Sequence, residues 1–117
     1  MKIITKKFED IIAWQKSQEL AVSIYRKFKD SRDYGFKDQI QRASVSVSNN
    51  IAEGFARKGN KEFKQFLYIA KGSCSEVRSM LYIALELEYI SKSEFDEFYN
   101  LTVEISKILS GLIRSLN

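Results

Sequence analysis

The side chains best suited to specific chemistry form a polar row in the first half of the chain. The row consists of Gln39, Arg42, Ser46, Asn50 and Glu53. Their spacing by threes and fours predicts one helix face. Short amides, a hydroxyl and one charge of each sign suit fixed hydrogen bonds, so we interpret the row as a polar network at a helix or subunit contact. A solvated face and a nucleic-acid-contacting face are the alternatives. We predict that Arg42→Ala and Glu53→Ala each weaken folding or assembly, because loss of one member leaves buried groups unpaired.

A second candidate surface is basic. The chain has a formal net charge of +4, which permits contact with polyanions without requiring it. The candidate nucleic-acid ligands are Lys6, Lys7, Arg57, Lys58, Lys61 and Lys64, and Lys2, Lys107 and Arg114 add to them. In an antiparallel bundle both termini and the central turn share one end, so these residues predict a basic end opposite a more acidic one. Such an end can bind phosphates in a salt-sensitive way, although a solvated basic end without a ligand is equally consistent.

Catalytic and metal-binding chemistry is poorly represented. The chain has no histidine and a single cysteine, Cys74, so a Ser-His-Asp triad and a cysteine-rich zinc site are excluded. The spacing of Gly54, Gly59 and Gly72 matches neither a phosphate-binding loop nor a dinucleotide-binding motif. We therefore predict no enzymatic activity, no cofactor and no metal, and we expect Cys74 to be a small core residue.

Composition indicates one all-helical domain. The 117 residues contain no proline and five glycines, and hydrophobic residues make up 44%. Helix breakers are therefore scarce. The N-terminus becomes polar too early for a signal peptide, and Glu86 interrupts the apolar stretch at residues 80–87. We expect a cytoplasmic protein without a membrane segment.

Apolar spacing by threes and fours predicts four helices, at about 8–29, 36–57, 61–89 and 92–115, packed as an antiparallel up-down-up-down four-helix bundle over 1–117. We expect Gly35 to provide left-handed geometry at the first turn and Asn60 to cap the third helix. Ser91 and Glu94 have the spacing of a capping box. The third helix carries more apolar surface than one core face requires, which predicts a second buried face.

Residues 39–55, QIQRASVSVSNNIAEGF, resemble the signature of the bacterial four-helix-bundle family named for proteins encoded in intervening sequences of 23S rRNA genes. The similarity extends to Trp14, to Tyr34-Gly35 and to residues 61–73, and so covers most of the chain. Ser48 departs from the proline frequent in the family, and serine should leave the helix straighter.

The resemblance implies a homopentamer without established catalysis. The accessory variability determinant proteins of diversity-generating retroelements look similar in fold, and they partner a reverse transcriptase and nucleic acid. Our leading hypothesis is a non-catalytic homo-oligomeric scaffold associated with RNA through the basic end. The alternative is an accessory subunit that docks on a polymerase, a reverse transcriptase or another protein.

Overall fold

The computed structural model describes residues 6–116, which form an antiparallel four-helix bundle of 44 × 22 × 19 Å. A short 3₁₀ turn, Phe8–Asp10, precedes α1 (Ile12–Phe28), α2 (Tyr34–Ala56), α3 (Asn60–Glu86) and α4 (Lys92–Ser115). Consecutive helices pack side by side, and α4 closes the ring against α1. The predicted all-helical fold is confirmed. No helix within residues 6–116 is long and apolar enough to cross a membrane.

The core is built from the apolar rows that the spacing identified. Fully buried side chains come from all four helices, and they include Leu20, Ile24, Ile40, Val47, Ile51, Leu67, Val77, Leu81, Ile105 and Leu109. These residues recur every three or four positions, so each helix turns one stripe inward and the four stripes meet along the bundle axis. The β-branched segment around Val45 and Val47 is helical, because its apolar spacing continues that of α2.

Two of the predicted helix starts are wrong. Ile11 is extended, which separates the 3₁₀ turn from α1, so α1 begins at Ile12 and not at residue 8. The second helix begins at Tyr34 because the Asp33 side chain accepts a hydrogen bond from the Phe36 N–H at 3.2 Å. Gly35 therefore lies in the first turn of α2, and it does not provide left-handed geometry as predicted.

The turn between α2 and α3 corrects the prediction that Asn60 caps the third helix. The left-handed residue is Gly59, with φ of 98°, and it occupies the position before the first helical residue. Asn60 is already helical, so it does not cap α3. A backbone with positive φ disfavours any side chain with a Cβ, which explains glycine at position 59.

The third helix ends at Glu86, earlier than the predicted residue 89, in a Schellman motif. The Tyr89 N–H donates to the Ala84 carbonyl at 2.8 Å, and the Glu88 N–H donates to the Leu85 carbonyl at 3.0 Å. Glu88 takes the left-handed position, with φ of 60°. The Tyr89 hydroxyl then donates to Asp33 at 2.6 Å, which ties this turn to the start of α2. That hydrogen bond and the one from Phe36 lower the pKa of Asp33.

The predicted capping box at α4 is confirmed. Ser91 Oγ accepts from the Glu94 N–H at 3.1 Å, and Glu94 Oε1 accepts from the Ser91 N–H at 2.8 Å. Together with the preceding turns, this cap orients α4 antiparallel to α3.

Candidate assembly and nucleic-acid surfaces

The centre of the polar row lies between α2 and α3. Ser46 Oγ and Ser73 Oγ share a hydrogen bond of 2.8 Å, and Asn50 Nδ2 donates to the Ser46 carbonyl at 2.8 Å and to Ser46 Oγ at 2.9 Å. Gln39 Nε2 donates to Glu76 on α3 at 3.3 Å. Ser46, Asn50 and Ser73 are half-buried, so this part of the row joins two helices of one chain.

The charged members of the row are arranged differently. Arg42 pairs with Asp38 at 2.9 Å and Glu53 pairs with Arg57 at 3.1 Å, in each case four residues along the same helix. All four side chains are exposed, and the Arg42 side chain is 79% accessible. Removing Arg42 or Glu53 therefore leaves no buried group unpaired within a single chain, so the reason for which we predicted destabilisation does not hold there.

Gly54 allows α2 and α3 to approach closely. It is buried, and a Cβ built at this position lies 2.5 Å from Cβ of Phe66 and 3.1 Å from Cδ1 of Phe63. Sequence reasoning gave Gly54 no role beyond its place in the family signature. The sequence did carry a signal for this close approach. Glycine in a helix interior is unfavourable by roughly 1 kcal/mol relative to alanine, so its presence there suggests that packing excludes a larger residue.

The basic end contains most of the predicted residues at its surface. Lys6, Lys7, Arg57, Lys58 and Lys61 are exposed, and Lys64 is half-buried in the first turns of α3. Lys2 lies outside the described residues.

Two contacts position the guanidinium of Arg57 at this end. It pairs with Glu53 and lies 5.0 Å from the centre of the Phe66 ring. The end also carries the exposed carboxylates of Glu9, Asp10 and Glu62. Its geometry suits contact with phosphates by flexible lysines more than a rigid binding pocket.

The groove between α1 and α4 is acidic and has a volume of about 620 Å³. Two ion pairs cross it, Lys16–Glu104 at 3.3 Å and Lys27–Glu94 at 2.8 Å. The bonds from Lys27 and from the Ser91 backbone hold the pKa of Glu94 below its ordinary value. Glu19 and Glu97 add further carboxylates to the groove wall. This lateral surface therefore disfavours polyanions.

The outer side of α3 exposes large apolar side chains. Tyr68 is 58% accessible, Ile69 52%, Ile83 48% and Leu87 52%. Ile69 and Ile83 are about 21 Å apart along the helix at 1.5 Å per residue. The surplus apolar surface predicted for this helix is thus turned away from the core of a single chain, and we call these four residues the α3 apolar surface.

Cys74 is a core residue. It is fully buried, and its Sγ donates to the Thr102 carbonyl at 3.3 Å. Burial raises the pKa of the thiol to about 11, against a smaller opposing effect of Arg78. The described residues contain no cluster of three or more side chains able to hold a metal ion.

Comparison with known proteins adds a family and a fold relative. Residues 9–111 match the model of the 23S rRNA-intervening sequence protein family. A crystal structure of a protein of unknown function from the S23 ribosomal protein family of Bacteroides thetaiotaomicron VPI-5482 superposes with a TM-score of 0.82 and 27% identity, and the match covers 87% of this chain and 98% of that one. No curated protein matches the chain.

Proposed function

Because the chain belongs to the family of 23S rRNA-intervening sequence proteins, we propose that it is a non-catalytic, homo-oligomeric scaffold that associates with RNA through its basic end. The α3 apolar surface carries the assembly part of this proposal. Four large apolar side chains, each about half exposed along one helix, are costly in water and favour burial against another chain.

The arrangement of apolar surfaces supports a ring, such as the pentamer that the family resemblance implies. Val22 and Tyr25 are each 43% exposed on α1, which stands diagonally across the bundle from α3. A ring needs two different surfaces that meet head to tail, whereas a twofold dimer uses one surface twice. The α3 apolar surface of one copy against α1 of the next supplies such a pair.

The basic end supports the RNA part. Arg57, Lys58 and Lys61 surround the turn between α2 and α3, and Lys6 and Lys7 join them from the N-terminal segment. A ring that keeps its subunits in one orientation gathers these ends on one rim, which multiplies weak phosphate contacts through effective concentration.

Assembly is tested by light scattering on the purified protein and on the Ile83→Glu variant. We expect an oligomer for the unaltered protein and a lower mass for the variant, because a buried carboxylate opposes association. Tyr34→Glu is the matched control, since Tyr34 is 71% exposed at the start of α2, outside both α1 and the α3 apolar surface. A monomer at micromolar concentration would refute the assembly part.

RNA association is tested by fluorescence anisotropy with a structured rRNA fragment and an unrelated RNA, at low and at physiological salt. Replacing Arg57, Lys58 and Lys61 together by glutamine should weaken binding without changing the oligomer mass. The control replaces Arg26, Lys29 and Arg32, three exposed cations at the opposite end, and removes the same charge. Equal losses in the two triple variants would show that net charge alone is responsible.

A second candidate function is an accessory subunit that docks on a polymerase-type protein, and the α3 apolar surface favours it equally. A monomeric protein without RNA affinity would favour docking. Loss of capture of a co-encoded reverse transcriptase by Ile83→Glu, with capture kept by Tyr34→Glu, would support it.

A further inference from the structure

The lateral surface between α3 and α4 carries an aromatic cluster. The Tyr82 ring lies 5.1 Å from Phe95 and 6.0 Å from Tyr99, edge-on to both, and the Phe95 and Tyr99 rings stack at 5.5 Å. Phe95 is buried beneath the other two, Tyr99 is half-buried and Tyr82 is 55% exposed. Phe95 therefore supports the two tyrosines from below, and Tyr82 offers an open ring to solvent.

Two cations flank this cluster, and Glu86 stands one helical turn after Tyr82. Lys92 Nζ lies 5.3 Å from the centre of the Phe95 ring, and Arg78 stands one helical turn before Tyr82. A hydrogen bond with Tyr99 raises the pKa of Tyr82, while the positive charges of Arg78 and Lys92 oppose that shift. Lys92 thus lies at the Phe95 ring beneath the tyrosines, and Arg78 lies on the same side of α3 as Tyr82.

A row of cations leads along α3 to Tyr82. Lys64, Lys71, Arg78 and Tyr82 follow one another at intervals of seven, seven and four residues. Such intervals place them along one side of a helix. From Lys71 to Tyr82 the row rises about 16 Å at 1.5 Å per residue. That length matches four or five nucleotides of a stacked strand at about 3.4 Å each.

We propose that this α3/α4 face binds single-stranded nucleic acid, with an unpaired base stacked on Tyr82 beside Tyr99 and with Lys71, Arg78 and Lys92 against the flanking phosphates. Aromatic rings interleaved with cations are the chemistry used to hold unpaired bases without reading their sequence. Asp96, which pairs with Lys92 at 2.6 Å, orients that lysine and partly offsets its charge.

Charge complementarity selects nucleic acid over an acidic or neutral helix as the ligand. The neighbouring α1/α4 groove carries four carboxylates against two lysines, whereas this face carries Lys71, Arg78 and Lys92 against Glu86 and Asp96. A polyanion is therefore repelled from one side of α4 and attracted to the other. The inference goes beyond the proposed function, because the basic end contacts phosphates whether or not bases are paired, whereas this face requires unpaired bases.

The experiment is fluorescence anisotropy with a 12-nucleotide single-stranded RNA, the same strand with abasic positions at its centre, and the corresponding duplex. The unaltered protein should bind the intact strand about tenfold more tightly than the abasic strand. The double variant Tyr82→Leu/Tyr99→Leu keeps apolar bulk over Phe95 but removes both flat rings, so it should lose that preference. Tyr34→Leu, at an exposed tyrosine that starts α2 and lies in none of the proposed surfaces, should keep it.

Any of the following results would overturn the proposal: equal affinity for the intact and abasic strands, tighter binding of the duplex, an unchanged preference in the double variant, or a lower oligomer mass of that variant. The last would make the face a subunit contact. A DNA strand of the same sequence should bind within about tenfold, because stacking makes no use of the 2′-hydroxyl. Stronger discrimination against DNA would also contradict it.

The triple variant at the basic end distinguishes base recognition at the α3/α4 face from the proposed RNA association through the basic end. Replacing Arg57, Lys58 and Lys61 should leave the preference for the intact over the abasic strand, even where overall affinity falls. Loss of the preference in that variant would place base recognition at the basic end and overturn the assignment to the α3/α4 face.

Discussion

Replacing Gly54 by alanine tests how closely α2 and α3 must pack. Carbon atoms in contact normally lie about 3.5–4.0 Å apart, so the 2.5 Å separation between the new Cβ and Cβ of Phe66 must grow by about 1 Å. Both atoms are attached directly to helix backbones, and a rotamer change moves neither. The helices themselves must separate, which loosens the Ser46–Ser73 hydrogen bond.

The expected magnitude follows from two opposing effects. Overpacking a core contact costs about 1–3 kcal/mol, and the backbone position of both atoms argues for the upper part of that range. Alanine in place of glycine in a helix returns about 1 kcal/mol. We therefore expect Gly54→Ala to lower the free energy of unfolding by about 2 kcal/mol, or the Tm by about 8 °C for a chain of this size.

The assay is urea unfolding followed by far-UV circular dichroism at one protein concentration, since the stability of an assembled protein depends on concentration. Gly111→Ala is the matched control, because the nearest atom to a Cβ there is Nη2 of Arg114 at 3.8 Å. That variant should gain about 1 kcal/mol. If Gly54→Ala is as stable as Gly111→Ala, the close approach of α2 and α3 does not depend on the missing Cβ and the reasoning is refuted.

Three further perturbations follow from the geometry. Asn50→Ala should cost about 1 kcal/mol in urea unfolding because its amide bonds are half-buried, whereas Arg42→Ala should change stability by less than about 0.5 kcal/mol because its ion pair is exposed. Hydrogen bonds depress the pKa of Asp33 and Glu94, so both stabilise the folded state above their ordinary pKa and cease to do so as pH falls. Acid unfolding should therefore begin below about pH 4.5 and be less steep in Asp33→Asn/Glu94→Gln. Cys74, with a pKa of about 11, should resist iodoacetamide at pH 8 until urea unfolds the protein, and rapid native labelling would contradict its burial.

The helices were predictable because the core is regular. Burial selects one stripe per helix, so the recurrence of apolar residues reports directly which face turns inward. The capping box of Ser91 and Glu94 was equally predictable, because its two residues are separated by three positions in the same segment. Features specified within one turn of helix are the ones that a sequence reveals most directly.

The helix ends that were misplaced depend on contacts between distant segments or on an unusual residue. Asp33 starts α2 two residues early, and it is held by Tyr89, which is far away in the sequence. Glu88 takes the left-handed conformation that ends α3. Glycine usually occupies that position, so a glutamate there does not predict the end of a helix. Gly35 was expected to take a left-handed conformation at the turn between α1 and α2. The glycine with a positive φ is instead Gly59, at the turn between α2 and α3.

The polar row shows a different limit. Its spacing identified a shared face, but the chemical outcome at each position depends on what α3 presents opposite. Ser46 meets Ser73 and becomes part of an interhelical bond, whereas Arg42 finds its partner on its own helix. Partner identity across two helices depends on their relative rotation and offset, and neither is encoded in the periodicity of one helix.

Charge segregation around the bundle axis was missed for the same reason. The antiparallel order alone predicts which residues share an end, so the basic end could be inferred from the sequence. On α4, Glu97 and Glu104 form one row seven residues apart, and Lys92 and Tyr99 form another. The sequence shows both rows. Which row faces α1 and which faces α3 depends on whether the four helices follow one another clockwise or anticlockwise around the bundle axis. Both arrangements bury the same apolar stripes, so the apolar spacing does not distinguish them. The observed order sets an acidic groove and a basic aromatic face on opposite sides of a single helix. A polyanion that approaches laterally is therefore directed to the α3 side of α4.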